Sequence, residues 1–201
     1  MYNPYDYYFK KAKKDWYKAR SAFKLEEIQT KFHLITKDTK TVIDIGCAPG
    51  SRIQYTAAQL QKLKVRNFKI VGFDLKPADI KIPEVHTFQQ DVTDITAVNA
   101  IFTQLNIGEK SVDFIQSDMA PNTIGDKDID AMRSIALLEE TLRIYEKYLK
   151  PDGKFATKIF MGPGFDEYLA NMKKLFGGKN IKIFKPQSSR KESKETYIIK
   201  I

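Results

Sequence analysis

The chain is expected to fold as an α/β protein with a mostly parallel, doubly wound sheet that closes in an antiparallel C-terminal hairpin. Three observations lead there. Short β-branched runs alternate with amphipathic helical patterns, the first run ends in a loop of small residues that opens a helix, and two last strand-like runs are joined only by polar residues. Strands separated by helices imply βαβ crossovers and hence parallel pairing, whereas strands joined by a short loop pair antiparallel.

Taken in order, residues 2–18 carry Tyr5, Tyr7, Tyr8, Phe9, Trp16 and Tyr17 among Lys10, Lys11, Lys13, Lys14 and Lys18. Such interleaving suits stacking on bases and pairing with phosphate, the alternative being aromatics packed on the domain under solvated lysines. Residues 21–32 place Leu25, Ile28 and Phe32 at i, i+3 and i+7, the core stripe of a helix, with Tyr17, Arg20 and Lys24 on another face. Strands are expected at 41–45, 69–73, 112–117 and 155–160, with a short extended run at 87–90. Helices are expected at about 53–63, 93–105, 130–149 and 165–176, the last with Phe165, Tyr168, Leu169, Met172, Leu175 and Phe176 on one face. Residues 181–184 and 196–201 form the hairpin at the sheet edge. With 201 residues and no repeats or low-complexity linkers, a single domain is expected, residues 1–35 forming a helical arm on the body at 36–201.

Composition narrows the chemistry. Cys47 is the sole cysteine and His33 and His86 the sole histidines, which starves disulfide frameworks, structural zinc and Cys/His nucleophile pairs, so no metal site is expected. No apolar run approaches the length of a membrane span and no secretory signal pattern opens the chain, which reads as soluble and unsecreted. The net charge of +9 favours a polyanionic partner, because lysine and arginine contacts to phosphate release counterions.

The first strand leads into Asp44-Ile45-Gly46-Cys47-Ala48-Pro49-Gly50, a loop that lets a nucleoside approach the backbone where open α/β sheets bind ligands. Ala48 and Ser51 stand where a dinucleotide fingerprint needs glycine, and no Walker pattern is present. Asp74, ending the second strand, is placed to accept both ribose hydroxyls of an adenosine or to cap the next helix; Asp91 is placed to accept from an adenine amino group or to close an Asx-turn. After the strand at 112–117 comes Ser117-Asp118-Met119-Ala120-Pro121-Asn122, which lacks the D-P-P-Y or N-P-P-Y of amino-group methyltransferases. A cytosine C5 enzyme needs a nucleophilic thiol that Cys47, inside the loop, does not supply, which leaves an oxygen acceptor. Lys158 interrupts a strand fit for burial and must lie at an exposed end or among carboxylates.

These residues bring the chain to a family: it resembles the FtsJ-like, or RrmJ-type, ribose 2′-O-methyltransferases. The resemblance runs from Tyr17-Lys18-Ala19-Arg20-Ser21-Ala22-Phe23-Lys24-Leu25 through the Asp118 motif to Gly164-Phe165-Asp166-Glu167-Tyr168-Leu169 and Ser188-Ser189-Arg190. It implies a Rossmann-like methyltransferase fold, with 36–201 as the catalytic domain and 1–35 as an RNA-binding arm. It also implies a Lys-Asp-Lys-Glu tetrad at Lys24, Asp118, Lys158 and Glu195, and S-adenosylmethionine held by Gly46, Ala48, Pro49, Gly50, Asp74, Asp91 and Asp118. The family usually follows the loop with Gly-Trp or Ser-Trp; here Ser51-Arg52 stands there, so Arg52 takes the position of an aromatic cofactor contact. RNA contacts are expected from Tyr17, Arg20, Lys24, Arg190 and Tyr197. The motif wording is closest to members that methylate an A-loop uridine of large-subunit ribosomal RNA, with the tRNA anticodon loop second and a catalytically silent ribosome-assembly factor as the reading of another class. The expected protein is a monomer acting on ribosomal RNA or the large subunit, cytoplasmic or, without its presequence, mitochondrial.

In this expectation Lys158 is the general base, and it must lose its proton near neutrality although an unperturbed lysine titrates near pH ~10.4. Desolvation and Lys24 push its pKa down while Asp118 and Glu195 push it up, and sequence leaves the net sign open.

Overall fold

The computed structural model describes Tyr7, Lys14, residues 17–190 and residues 192–201; the stacking expected of Tyr5, Tyr8, Phe9 and Trp16 lies outside them. The helices are α1 (Ser21–Phe32), α2 (Ser51–Lys62), α3 (Ile95–Gln104), α4 (Lys127–Tyr148) and α5 (Phe165–Phe176). The strands are β1 (Thr41–Ile45), β2 (Lys69–Asp74), β3 (Val85–Gln89), β4 (Val112–Ser117), β5 (Leu149–Phe160), β6 (Ile181–Phe184) and β7 (Glu195–Lys200). They form one sheet in the order β3-β2-β1-β4-β5-β7-β6, parallel except for β7, which runs antiparallel to both β5 and β6.

The expected doubly wound architecture is present, with three refinements. β6 is the sheet edge, while β7 is paired on both sides and buried along its whole length, so the hairpin is half interior. β5 begins at Leu149, directly behind α4, rather than at 155, because Pro151-Asp152-Gly153 reads as a turn but here forms an irregular start with a register shift against β4. α4 starts at Lys127 rather than 130, since its first turn is polar and is set by the Asp126 carboxylate, which accepts from the N–H groups of Asp128 and Ile129.

Two apolar layers enclose the sheet. On one side Phe102 stands edge-on to Phe73 and Tyr148, with centroids 5.5 and 4.5 Å apart, and α4 and α5 complete the layer. On the other, α1 docks on α2 through Ala22, Leu25 and Ile28, and Leu34 and Ile35 are also buried, so one face of residues 21–35 packs into the core. Each fully buried large apolar side chain contributes about 1.5–3 kcal/mol. Phe32 is only partly buried, against Phe184, and Leu175 on α5 is exposed, so both expected stripes are narrower than their sequence patterns. Among the described residues no helix is long and apolar enough to cross a membrane.

Candidate active site

The strand order reverses between β1 and β4, and a crevice opens beyond the carboxyl ends of the strands at such a switch point. There a cavity of 510 Å³ is lined by Gly46 and Ala48 after β1, Phe73 to Lys76 after β2, Gln90 to Thr93 after β3, and Asp118 to Ala120 with Asn122 after β4. Leu137 and Glu140 of α4 complete it.

Gly46 shows why the loop uses small residues. Its φ is +71°, and a Cβ there would lie 2.9 Å from the Met119 Cα, so only glycine lets the β1 and β4 loops close together. Asp74 ties the loop to β2: its Oδ2 accepts from the Ala48 N–H at 2.9 Å and its Oδ1 from the Lys76 N–H at 2.8 Å, while lone pairs remain toward the cavity. Asp91 closes an Asx-turn, Oδ1 accepting from the N–H and hydroxyl of Thr93; its other oxygen has no hydrogen bond among the described residues. Gly46, Ala48, Asp74, Asp91 and Asp118 therefore share one cavity. Pro49, Gly50 and Arg52 do not line it: Pro49 is exposed, Gly50 is buried where a Cβ would strike Ile80, and Arg52 turns beneath the loop.

The four residues expected to act together do converge. Lys158 Nζ lies 3.1 Å from Asp118 Oδ1 and donates to the Asp118 carbonyl at 2.5 Å. Lys24 Nζ lies 2.7 Å from Glu195 Oε1 and 3.9 Å from Asp118 Oδ1, and the Ser189 hydroxyl donates to Glu195 Oε1 at 2.8 Å. Strand pairing sets this: Lys158 sits opposite Tyr197, and Glu195 opposite Phe160, on adjacent antiparallel strands. Lys158 is 7% exposed, so its ammonium is held among carboxylates and not at an open strand end.

Burial, then the nearby Lys24 ammonium, bring the Lys158 pKa down to about 7; Glu195 opposes and Arg52 reinforces the fall. The Asp118 carboxylate, 3.1 Å away, favours the charged ammonium and opposes the fall, and its charge is shared with Arg52, Tyr197 and Lys24. Lys24 is lowered too, mainly by burial. Burial raises the Glu195 pKa, but Lys24 and then Lys158 overcome it, and the carboxylate ends below its ordinary range.

A second groove, of 430 Å³, is lined by Arg20, Lys24, Arg190, Glu192, Ser193 and Glu195. Asp118 faces the first cavity and Lys24 and Glu195 face this one, while Lys158 lines neither and is buried against Asp118. Arg20 and Arg190 fall where an RNA backbone contact was expected, and the Arg20 guanidinium also donates to the Ser188 carbonyl. Two residues expected on the RNA face are turned inward. Tyr17 precedes α1 and packs on Phe23 and Tyr55, with centroids 5.8 and 6.4 Å away. Tyr197 is 3% exposed and its hydroxyl donates to Asp118 Oδ1 at 2.8 Å, which makes it a support of that carboxylate.

Sequence reasoning passed over Leu75, a leucine left 68% exposed at the cavity mouth beside Asp74, and Asp44, the buried partner of Arg52. The strand-end rule that picked Asp74 would have reached Leu75 one residue later. The arrangement can hold a nucleoside-bearing ligand in the first cavity, a polyanion in the second groove, and a lysine near neutral pKa between them. Among the described residues no cluster of His, Cys, Asp or Glu is placed to hold a metal ion.

Comparison with known proteins identifies the family. The profile of the FtsJ-like methyltransferases matches residues 17–201. A ribosomal RNA large subunit methyltransferase E of Desulfatibacillum aliphaticivorans is 40% identical over 96% of this chain and 88% of its own length. The protein of the same name from Pelagibacter ubique is 41% identical over 96% and 90%. Among solved structures, a protein described as a ribosomal RNA methyltransferase from Plasmodium falciparum superposes with a TM-score of 0.77 at 27% identity, over 92% of this chain and 97% of that one. Human methyltransferase-like protein 13, solved with SAH, shares the fold with a TM-score of 0.60 at 14% identity, over 88% and 80%. With the profile match spanning 17–201 and relatives 40 and 41% identical over nearly the whole chain, the chain belongs to the FtsJ-like methyltransferase family.

Proposed function

We propose that the protein methylates a ribose 2′-hydroxyl of large-subunit ribosomal RNA, at a uridine of the A-loop, using S-adenosylmethionine. The observation that carries the reading is the convergence of Lys24, Asp118, Lys158 and Glu195, with Asp118 on the first cavity and Lys24 and Glu195 on the second groove. The RNA target is supported by the names of the relatives and by the basic groove.

The first cavity fits the donor. Phe73, Leu75, Val92 and Met119 offer apolar contact for an adenine, and the Asp74 and Asp91 carboxylates stand on its wall as acceptors for ribose hydroxyls and an amino group. S-adenosylmethionine supplies a methyl carbon already electrophilic on a sulfonium. What remains for the protein is to orient the acceptor and remove one proton.

Lys158, with its pKa near 7, is unprotonated in a large share of molecules at neutral pH and takes the proton from the 2′-oxygen as that oxygen gains the methyl group. Asp118 aims the amine through its carbonyl and carboxylate. Lys24, fixed by Glu195, places a positive charge beside the attacking oxygen, where it stabilises developing negative charge. Arg20 and Arg190 hold the RNA backbone. In this reading the protein acts as a monomer.

The test is tritium transfer from labelled S-adenosylmethionine to unmethylated large subunits, free ribosomal RNA and tRNA, followed by ribose-methylation mapping. Label at an A-loop uridine is expected. Label confined to tRNA overturns the target, and donor binding without transfer to any RNA supports the assembly-factor reading instead.

A further inference from the structure

We propose that Arg52 is a positioning residue for methyl transfer, its guanidinium fixing the Asp118 carboxylate against Lys158 and tying it to the Gly46 carbonyl of the small-residue loop. The proposal rests on the reading of Lys158 as the base.

Arg52 is the second residue of α2 and is 5% exposed, so it has no surface role. Its Nε donates to Asp44 Oδ1 at 3.1 Å, Nη2 donates to the same oxygen and to the carbonyls of Ile45 and Gly46 at 3.2 and 2.7 Å, and Nη1 lies 3.1 Å from Asp118 Oδ2. Only a planar fork reaches two acids and two carbonyls at once; a lysine ends in a single nitrogen. The position that the family gives to an aromatic cofactor contact is here turned away from the cavity and toward the catalytic carboxylate.

Two consequences follow from the geometry. With Oδ2 of Asp118 engaged by Arg52, Oδ1 is left for Lys158 and Tyr197, so the carboxylate cannot swing without breaking a buried ion pair. Secondly, the buried centre holds three cations, Lys24, Lys158 and Arg52, against three acids, Asp44, Asp118 and Glu195. Facing Lys158 are Lys24 from α1, Arg52 from α2, Asp118 beyond β4, and Glu195 and Tyr197 from β7, with Asp44 of β1 behind Arg52. Removing the guanidinium charge from this set favours protonated Lys158 and therefore moves the acid limb of the rate profile to higher pH.

The experiment compares wild type, Arg52→Gln, Arg52→Lys, the double variant Asp44→Asn/Arg52→Gln and Lys158→Met. Each is assayed for kcat against pH on unmethylated large subunits at saturating donor, and for S-adenosylhomocysteine affinity by calorimetry. Arg52→Gln is expected to lose about 10- to 100-fold in kcat, the range typical of groups that orient a reacting centre, and to shift the acid limb upward. Its S-adenosylhomocysteine affinity falls because the Gly46 carbonyl loses its donor. Arg52→Lys keeps the limb but not the full kcat. Since Arg52→Gln orphans Asp44 in the core, the double variant removes that charge and should show the same loss of kcat while folding normally. Unchanged kcat, limb and affinity in a folded Arg52 variant, with Lys158→Met inactive, overturns this proposal and leaves the base assignment standing. An active Lys158→Met overturns the reading beneath it.

Discussion

Tyr197 donates its hydroxyl hydrogen to Asp118 Oδ1 at 2.8 Å, the same oxygen that stands 3.1 Å from Lys158 Nζ. The phenol thus draws off part of the charge that would otherwise hold Lys158 protonated. Burial pushes the phenol's own pKa well up, so it stays a donor across the working range. Tyr197→Phe should lower kcat by about tenfold, the worth of a hydrogen bond to a charged group, and raise the acid limb, with the RNA KM unchanged. Steady-state kinetics over pH separates this from an RNA-contact role, which would raise KM instead.

Lys158→Met should cost about 10²- to 10⁴-fold in kcat, the span of general-base catalysis, while calorimetry with S-adenosylhomocysteine stays within a few-fold of wild type. Wild-type kcat should rise with pH through a midpoint near 7.

A stability effect accompanies the same group. Between pH 7 and the ordinary lysine pKa of 10.5 the folded protein has released a proton that the unfolded chain still binds. The unfolded state then holds more protons, so the Lys158 contribution makes unfolding free energy increase with pH over that window and leaves it flat below. Urea unfolding at a series of pH values should show this slope in wild type and a smaller one in Lys158→Met.

Arg190 is exposed on the groove beside Arg20 and Lys24, apart from Asp118, Lys158 and Glu195 in the proposed catalytic set and from the first cavity. Arg190→Ala should raise the RNA KM and reduce the slope of log KM against log salt by about one, as expected for one lost phosphate contact. Equal kcat at saturating RNA and equal donor affinity are the companion results; a fall in kcat with normal KM would contradict a phosphate role.

Gly46→Ala places a Cβ 2.9 Å from the Met119 Cα at a φ of +71°. The two strand-end loops must separate, at a cost of about 1–3 kcal/mol. Thermal unfolding should report the loss, and donor affinity should fall with it because Gly46 and Met119 line the same cavity.

The sheet was legible because β1, β2 and β4 are apolar runs between amphipathic helices, and the convergence of Lys24, Asp118, Lys158 and Glu195 was expected only through the family resemblance of their separate motifs. Where sequence fell short, the determining interaction was a tertiary one between polar groups. Nothing local shows that Arg52 would bend back to Asp44, eight residues earlier, instead of facing the ligand. Tyr197 reads as an aromatic near a basic loop, and only pairing with β5 turns it toward Asp118. β5 hides its first half because proline and glycine obey local turn chemistry until a neighbouring strand recruits them.

The sheet order β5-β7-β6 also governs how the site is completed. β6 precedes β7 in the chain yet pairs with no other strand of the sheet, so its place depends on β7 lying against β5. The same strand carries Glu195 to Lys24, 171 residues upstream. Anything that unpairs β7 from β5 therefore also parts Glu195 from Lys24, so the edge of the sheet and the ion pair hold together or come apart together.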